Sequence, residues 1–339
     1  MSGSVTRAFI CGCSGLALSL EEKSFLREAR PWGAILFKRN VASREQLRAL
    51  TAEIREALGD DAPILVDQEG GRVQRLGPPV WRAYPSAAAF EKLGLAPEET
   101  ARIVRLGARL IAHDLREVGI NVDCLPVLDV PVDGSHNVIG DRAYSRAPSE
   151  IARLGRAAAE GLLDGGVLPV IKHIPGHGRA RADSHLELPV VDALRAELEA
   201  QDFIPFRADA DLPLGMTAHV VYTAIDPERP GTLSKLVVEG VIRGQIGFDG
   251  LLMTDDISMK ALSGGFRERT EAAITAGCDI VLHCNGALVE ARAVAEGAGD
   301  LAGRALVRAR AALARIAAPE DFDPVDGARQ FDAALAAGV

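Results

Sequence analysis

Residues 168–178 read Leu168-Pro169-Val170-Ile171-Lys172-His173-Ile174-Pro175-Gly176-His177-Gly178. The apolar run before Lys172 does not alternate with polar residues. That pattern marks a strand covered on both faces, as in a parallel sheet. Two polar residues end it, and Pro175, Gly176 and Gly178 then break regular backbone. The polar stretch continues through Asp183-Ser184-His185 and closes at Pro189. Polar side chains therefore stand where a buried strand gives way to a loop, the place where α/β folds keep their chemistry.

The same grammar recurs along the chain. Apolar runs at 8–11, 33–37, 63–66, 121–126, 168–172, 214–219, 250–254 and 279–283 alternate with helical patterns. Strand–helix alternation predicts a parallel sheet with crossover helices, and eight units close a TIM (β/α)8-type barrel. The expected division is one α/β barrel over 1–318 and a C-terminal tail over 319–339. Ser43 and Gln46 give a capping-box pattern ahead of a helix at 44–58. Pro97 opens another, with an apolar stripe of Ile103, Leu106, Leu110, Ile111 and Leu115, and Gly119 ends it. Residues 287–318 read as two helices broken near 297–300.

Polar residues collect at the ends of these strands. Asp67 and Arg75 follow the third; Asp129, Asp141 and Arg142 the fourth. Lys172 and His173 end the fifth and His219 the sixth. Asp255 and Asp256 end the seventh, and His283 and Asn285 the eighth. Scattered surface charge would not choose one end of every strand.

Composition narrows the partners. The net charge is −9 over 339 residues, which argues against non-specific nucleic-acid binding. The five cysteines are scattered, with no zinc or disulfide spacing, and read as buried core thiols. A weakly apolar stretch at 8–20 follows Arg7 and imitates a signal peptide, but its Cys11-Gly12-Cys13-Ser14-Gly15 core fits a first strand and turn better. No run reaches the length of a membrane span. The expectation is a cytoplasmic protein with a small-molecule substrate, no membrane or nucleic-acid partner and no set oligomeric state.

Three clusters carry candidate chemistry. Asp183 and His185 share a face of an extended segment, so the carboxylate can orient the imidazole for proton transfer. His173 and His177 have HxxxH spacing, but Pro175 and Gly176 between them remove its helical meaning, and Lys172 opposes a divalent cation; a metal-dependent hydrolase is the weaker reading. In Thr254-Asp255-Asp256, neighbouring residues point opposite ways. One Asp then faces the barrel axis, near Lys172 and Arg75, and the other packs outward or caps; spacing does not say which. In residues 66–75, Asp67 suits sugar hydroxyls, Arg75 a carbonyl or hydroxyl, and Glu69–Arg72 reads as a structural ion pair. Asp141–Arg142 reads either as a local salt bridge or as supplying a donor to the site.

These motifs, with Gly12-Cys13-Ser14-Gly15, residues 35–40 and Ala276-Gly277-Cys278-Asp279, resemble glycoside hydrolase family 3, and within it the bacterial β-N-acetylglucosaminidases of peptidoglycan recycling. The resemblance spans about residues 10–290. It implies Asp255 as nucleophile, His185 as general acid/base and Asp183 as its orienting partner. It implies Asp67, Arg75, Arg142, Lys172 and His173 as sugar-binding residues, with His219 lining the same site. The implied reaction is retaining hydrolysis of a terminal β-linked N-acetylglucosamine on a muropeptide, without metal or cofactor. Ile174 and Arg179-Ala180-Arg181 depart from the family's usual residues. A family 3 β-glucosidase, an N-acetylglucosaminide phosphorylase and a non-catalytic sugar-binding barrel are the rivals.

Overall fold

A computed structural model describes residues 5–184 and 187–337. Eight parallel strands close a barrel: β1 (Arg7–Gly12), β2 (Pro31–Leu36), β3 (Ile64–Val66), β4 (Val122–Asp123), β5 (Leu168–Ile174), β6 (Leu214–Thr217), β7 (Leu251–Asp256) and β8 (Ile280–His283). Each pairs with its neighbours in chain order, and β8 returns to β1 through Phe9–Val281 and Ile10–Leu282. All eight apolar runs thus form the barrel. β5 is buried along its whole length, as its unbroken apolar pattern requires. Two short pairs sit outside the barrel: Gln68–Gly70 with Val73–Gln74, and Val190–Val191 with Val221–Tyr222.

The helices begin where the sequence says they should. Ser19 caps Leu20–Ala29 and Glu22 reaches back to it, a complete capping box. At Arg44–Leu58 the box is only half built. Ser43 Oγ accepts from the Gln46 amide, but the Gln46 side chain accepts from Ala42 N instead of Ser43 N. Pro97 opens Pro97–Glu117, and Gly119 follows its end at positive φ. Leu288–Ala298 and Gly303–Leu313 are the two expected helices, separated at Gly299. All five cysteines are buried and unpaired with one another. Among the described residues no helix is long and apolar enough to cross a membrane.

Beyond residue 319 the chain forms the helix Pro324–Ala337, which packs on Pro97–Glu117. Phe331 anchors it. The ring is fully buried between Tyr84 and Phe90 and lies over Gly107, where a Cβ would come within 2.7 Å of it. Arg82 adds an ion pair to Asp332. Replacing Phe331 by Ala should cost about 3 kcal/mol of unfolding free energy in urea. A loss below about 1 kcal/mol would show that this helix contributes little to barrel stability.

Candidate active site

At the carboxyl ends of the strands a cavity of about 230 Å³ opens. Asp67, Arg75, Arg142, Lys172, His173, Asp183 and Asp255 all line it. Residues from β5 and β7 and from the loops after β3, β4 and β5 therefore meet in one place, as strand-end polarity implied. Ile35, Phe37, Met216, Leu282 and Cys284 add an apolar wall.

A chain of buried charges forms one side. Lys172 Nζ lies 2.9 Å from Asp67 Oδ1 and 2.6 Å from Glu69 Oε1. Arg75 donates to the other oxygen of Asp67 at 2.9 Å. Arg142 grips Glu69 in a two-point contact, Nε and one terminal nitrogen each at 2.8 Å, the geometry in which a guanidinium binds a carboxylate best. Burial opposes ionisation of both acids, but Lys172 and Arg75 hold Asp67 well below the usual carboxylate range. Arg142 and Lys172 likewise bring Glu69 down to about 2. Burial would also discharge Lys172, and its two carboxylates raise it instead.

This network corrects two expectations. Glu69 does not pair with Arg72, and Asp141 does not pair with Arg142. The partners are exchanged: Arg72 bonds Asp141 at 2.8 Å and the carbonyls of Asn137 and Val138, outside the charge chain, while Glu69 takes Arg142. Residues 67 and 69 sit two apart on extended backbone and share a face, so Lys172 meets both. That periodicity was available in the sequence and marks Glu69 as a site residue.

The two aspartates at the end of β7 differ in what holds them. Asp256 accepts from the amides of Ser258 and Cys284 at 3.0 and 3.1 Å and from the Ser258 hydroxyl at 2.5 Å. It is the turn-building member of the pair. Asp255 is 8% exposed and accepts from the Asp256 amide at 2.8 Å; both aspartates line the cavity.

His219 stands apart from the expectation. Its ring is fully buried and is not among the residues lining the cavity. Nε2 lies 3.0 Å from the Asp256 carbonyl and Nδ1 2.7 Å from Thr232 Oγ1. A carbonyl only accepts, so Nε2 carries the hydrogen. Burial lowers the ring's basicity. Its position suits support of the Asp255–Asp256 backbone.

The loop after β5 carries the remaining candidates. Asp183 and Ser184 reach the cavity, and the Ser184 carbonyl accepts from Ala261 N at 3.2 Å. His185 lies outside the described residues. Arg179 fastens the loop's first turn to Asp202 at 2.7 Å. His177, given no role by sequence, lines the cavity with its ring 5.7 Å from that of His173. Burial and the neighbouring His173 push it down to about 4, so its ring is neutral at physiological pH. Among the described residues no group of three His, Cys, Asp or Glu has the arrangement of a metal site.

A barrel whose strand ends offer fixed carboxylates, guanidiniums and an ammonium around a cavity suited to one small, hydroxyl-rich ring is built as a carbohydrate-processing enzyme. The family model for the glycosyl hydrolase family 3 N-terminal domain matches residues 13–317, and the chain belongs to that family. A β-hexosaminidase of Alkalilimnicola ehrlichii is 41% identical over 278 residues, covering 81% of this chain and 79% of that protein. The crystal structure of NagZ from Neisseria gonorrhoeae in complex with N-trifluoroacetyl-D-glucosamine superposes with a TM-score of 0.85 at 34% identity, covering 98% and 97% of the two chains. A family 3 β-N-acetylglucosaminidase from a Paenibacillus species gives 0.85 at 30% identity, covering 97% of this chain and 67% of that one.

The network makes a pH-dependent prediction. The folded-state pKa of Glu69 is depressed to about 2, below the ordinary glutamate value of about 4.3. Its contribution is therefore complete above that ordinary value and disappears as pH falls towards 2. Glu69→Gln should cost about 3 kcal/mol at neutral pH, because Lys172 and Arg142 lose a shared partner. The deficit should shrink in acid. Urea titrations of both proteins at several pH values measure this, and a deficit independent of pH would contradict it.

Proposed function

We propose that this chain is a retaining β-N-acetylglucosaminidase that removes a non-reducing terminal β-linked N-acetylglucosamine from a muropeptide, in the cytoplasmic recycling of peptidoglycan. The observation that carries the mechanism is the unequal setting of the β7 pair. Both line the cavity, but the Asp256 carboxylate is committed to the Ser258 and Cys284 donors of its turn. The names of the relatives and the amino-sugar derivative in the Neisseria complex support the substrate class.

In this reading Asp67, Arg75, Arg142, Lys172 and His173 hold the sugar. Asp255 attacks the anomeric carbon, a glycosyl ester forms, and the bond to the leaving oxygen breaks. His185, oriented by Asp183, gives that oxygen its proton. It then takes one from water as the water attacks the same carbon and frees Asp255. The donors are already fixed by their own ion pairs, so they need little reorganisation as charge develops on the sugar.

Asp255→Ala should lower kcat on a chromogenic β-N-acetylglucosaminide by about 10³-fold or more, while circular dichroism shows an intact fold. A chelator should leave the wild-type rate unchanged. Activity surviving in Asp255→Ala, or lost to chelation and restored by zinc, would overturn the assignment.

A further inference from the structure

Asp129 takes no part in the steps above, yet it is fully buried against two histidines that line the cavity. Its carboxylate meets three donors from one short segment. Oδ1 accepts from the His177 amide at 2.6 Å and from the His173 amide at 3.3 Å. Oδ2 lies 2.6 Å from Nδ1 of the His173 ring. An anchor for the loop alone would need only the two amides. The third contact falls on an imidazole that lines the cavity.

The sense of that contact can be worked out. Burial opposes ionisation of Asp129, but His173, followed by His177 and its amide, outweighs burial and holds the carboxyl below its ordinary range. An ionised carboxylate has no hydrogen to give. Nδ1 of His173 is then the donor, and Nε2 is left for the cavity, where it can hydrogen-bond a sugar hydroxyl.

We propose that Asp129 is the positioning residue of His173: it keeps the hydrogen on Nδ1 and turns Nε2 towards the bound sugar. The inference rests on His173 being a sugar-binding residue. Asp129→Asn preserves shape but reverses the polarity. With its oxygen on the His177 amide, the carboxamide would present its own NH2 to Nδ1 and drive the ring hydrogen to Nε2.

Nitrogen-15 NMR of histidine-labelled enzyme reads this directly, with His173 assigned from the spectrum of His173→Ala. The unmodified protein should carry hydrogen on Nδ1 of His173 at every pH where it is folded. A bare Nδ1 would overturn the proposal, and this result does not depend on any variant folding. Asp129→Asn should move the hydrogen to Nε2 and lower kcat/KM about ten- to a hundredfold, chiefly through KM. In a His173→Ala background the same change should cost less than about threefold, since the two residues act as one unit. An undiminished cost there would show that Asp129 does not act through His173. If His173→Ala alone left kcat/KM unchanged, the sugar-binding role would fail, whatever the tautomer.

Discussion

Lys172 carries a positive charge with almost no access to water, and two carboxylates keep it charged. A lone ammonium at that depth would lose its proton or its place. Asp67 and Glu69 come from the end of β3 and the strand after it, Lys172 from β5, and Arg142 from the loop beyond β4. The ion pairs therefore fasten three consecutive strand ends to one another across the barrel mouth. Each charge is affordable only because its neighbours are present, so the site and the local fold stand or fall together.

The same arrangement prepares the site for a sugar. Donors that must wait for a ligand in water would reorganise at each turnover, whereas these are already held by one another. Asp255 lies on β7, on a different strand from these ion pairs, and accepts from the Asp256 amide. In the proposed mechanism that carboxylate faces the substrate, while Asp67 and Glu69 remain paired with cations. Asp129 extends the principle one layer back, where a buried acid lies 2.6 Å from Nδ1 of a histidine that lines the cavity.

Much of this was legible in the sequence, and the failures have physical causes. All eight strands could be read, because a strand covered on both faces has a continuous apolar run that a neighbouring helix does not imitate. Clustering of polar residues at strand ends placed Asp67, Arg75, Arg142, Lys172, His173 and Asp255 around one cavity. Pairings were harder. Adjacency suggested Asp141–Arg142 and short spacing suggested Glu69–Arg72, but neighbouring side chains on a turn diverge and each found its partner across the loop. His219 also ends a strand. Nothing in sequence reveals that its ring is held between the Thr232 hydroxyl and the Asp256 carbonyl.

What the account most needs is the stereochemistry of the first product. Proton NMR of hydrolysis of a β-N-acetylglucosaminide, recorded before mutarotation, reports the configuration at the anomeric carbon as it is released. Attack by Asp255 followed by water on the opposite face gives the β-anomer first. Initial appearance of the α-anomer would mean a single displacement by water, and Asp255 could not then be the nucleophile.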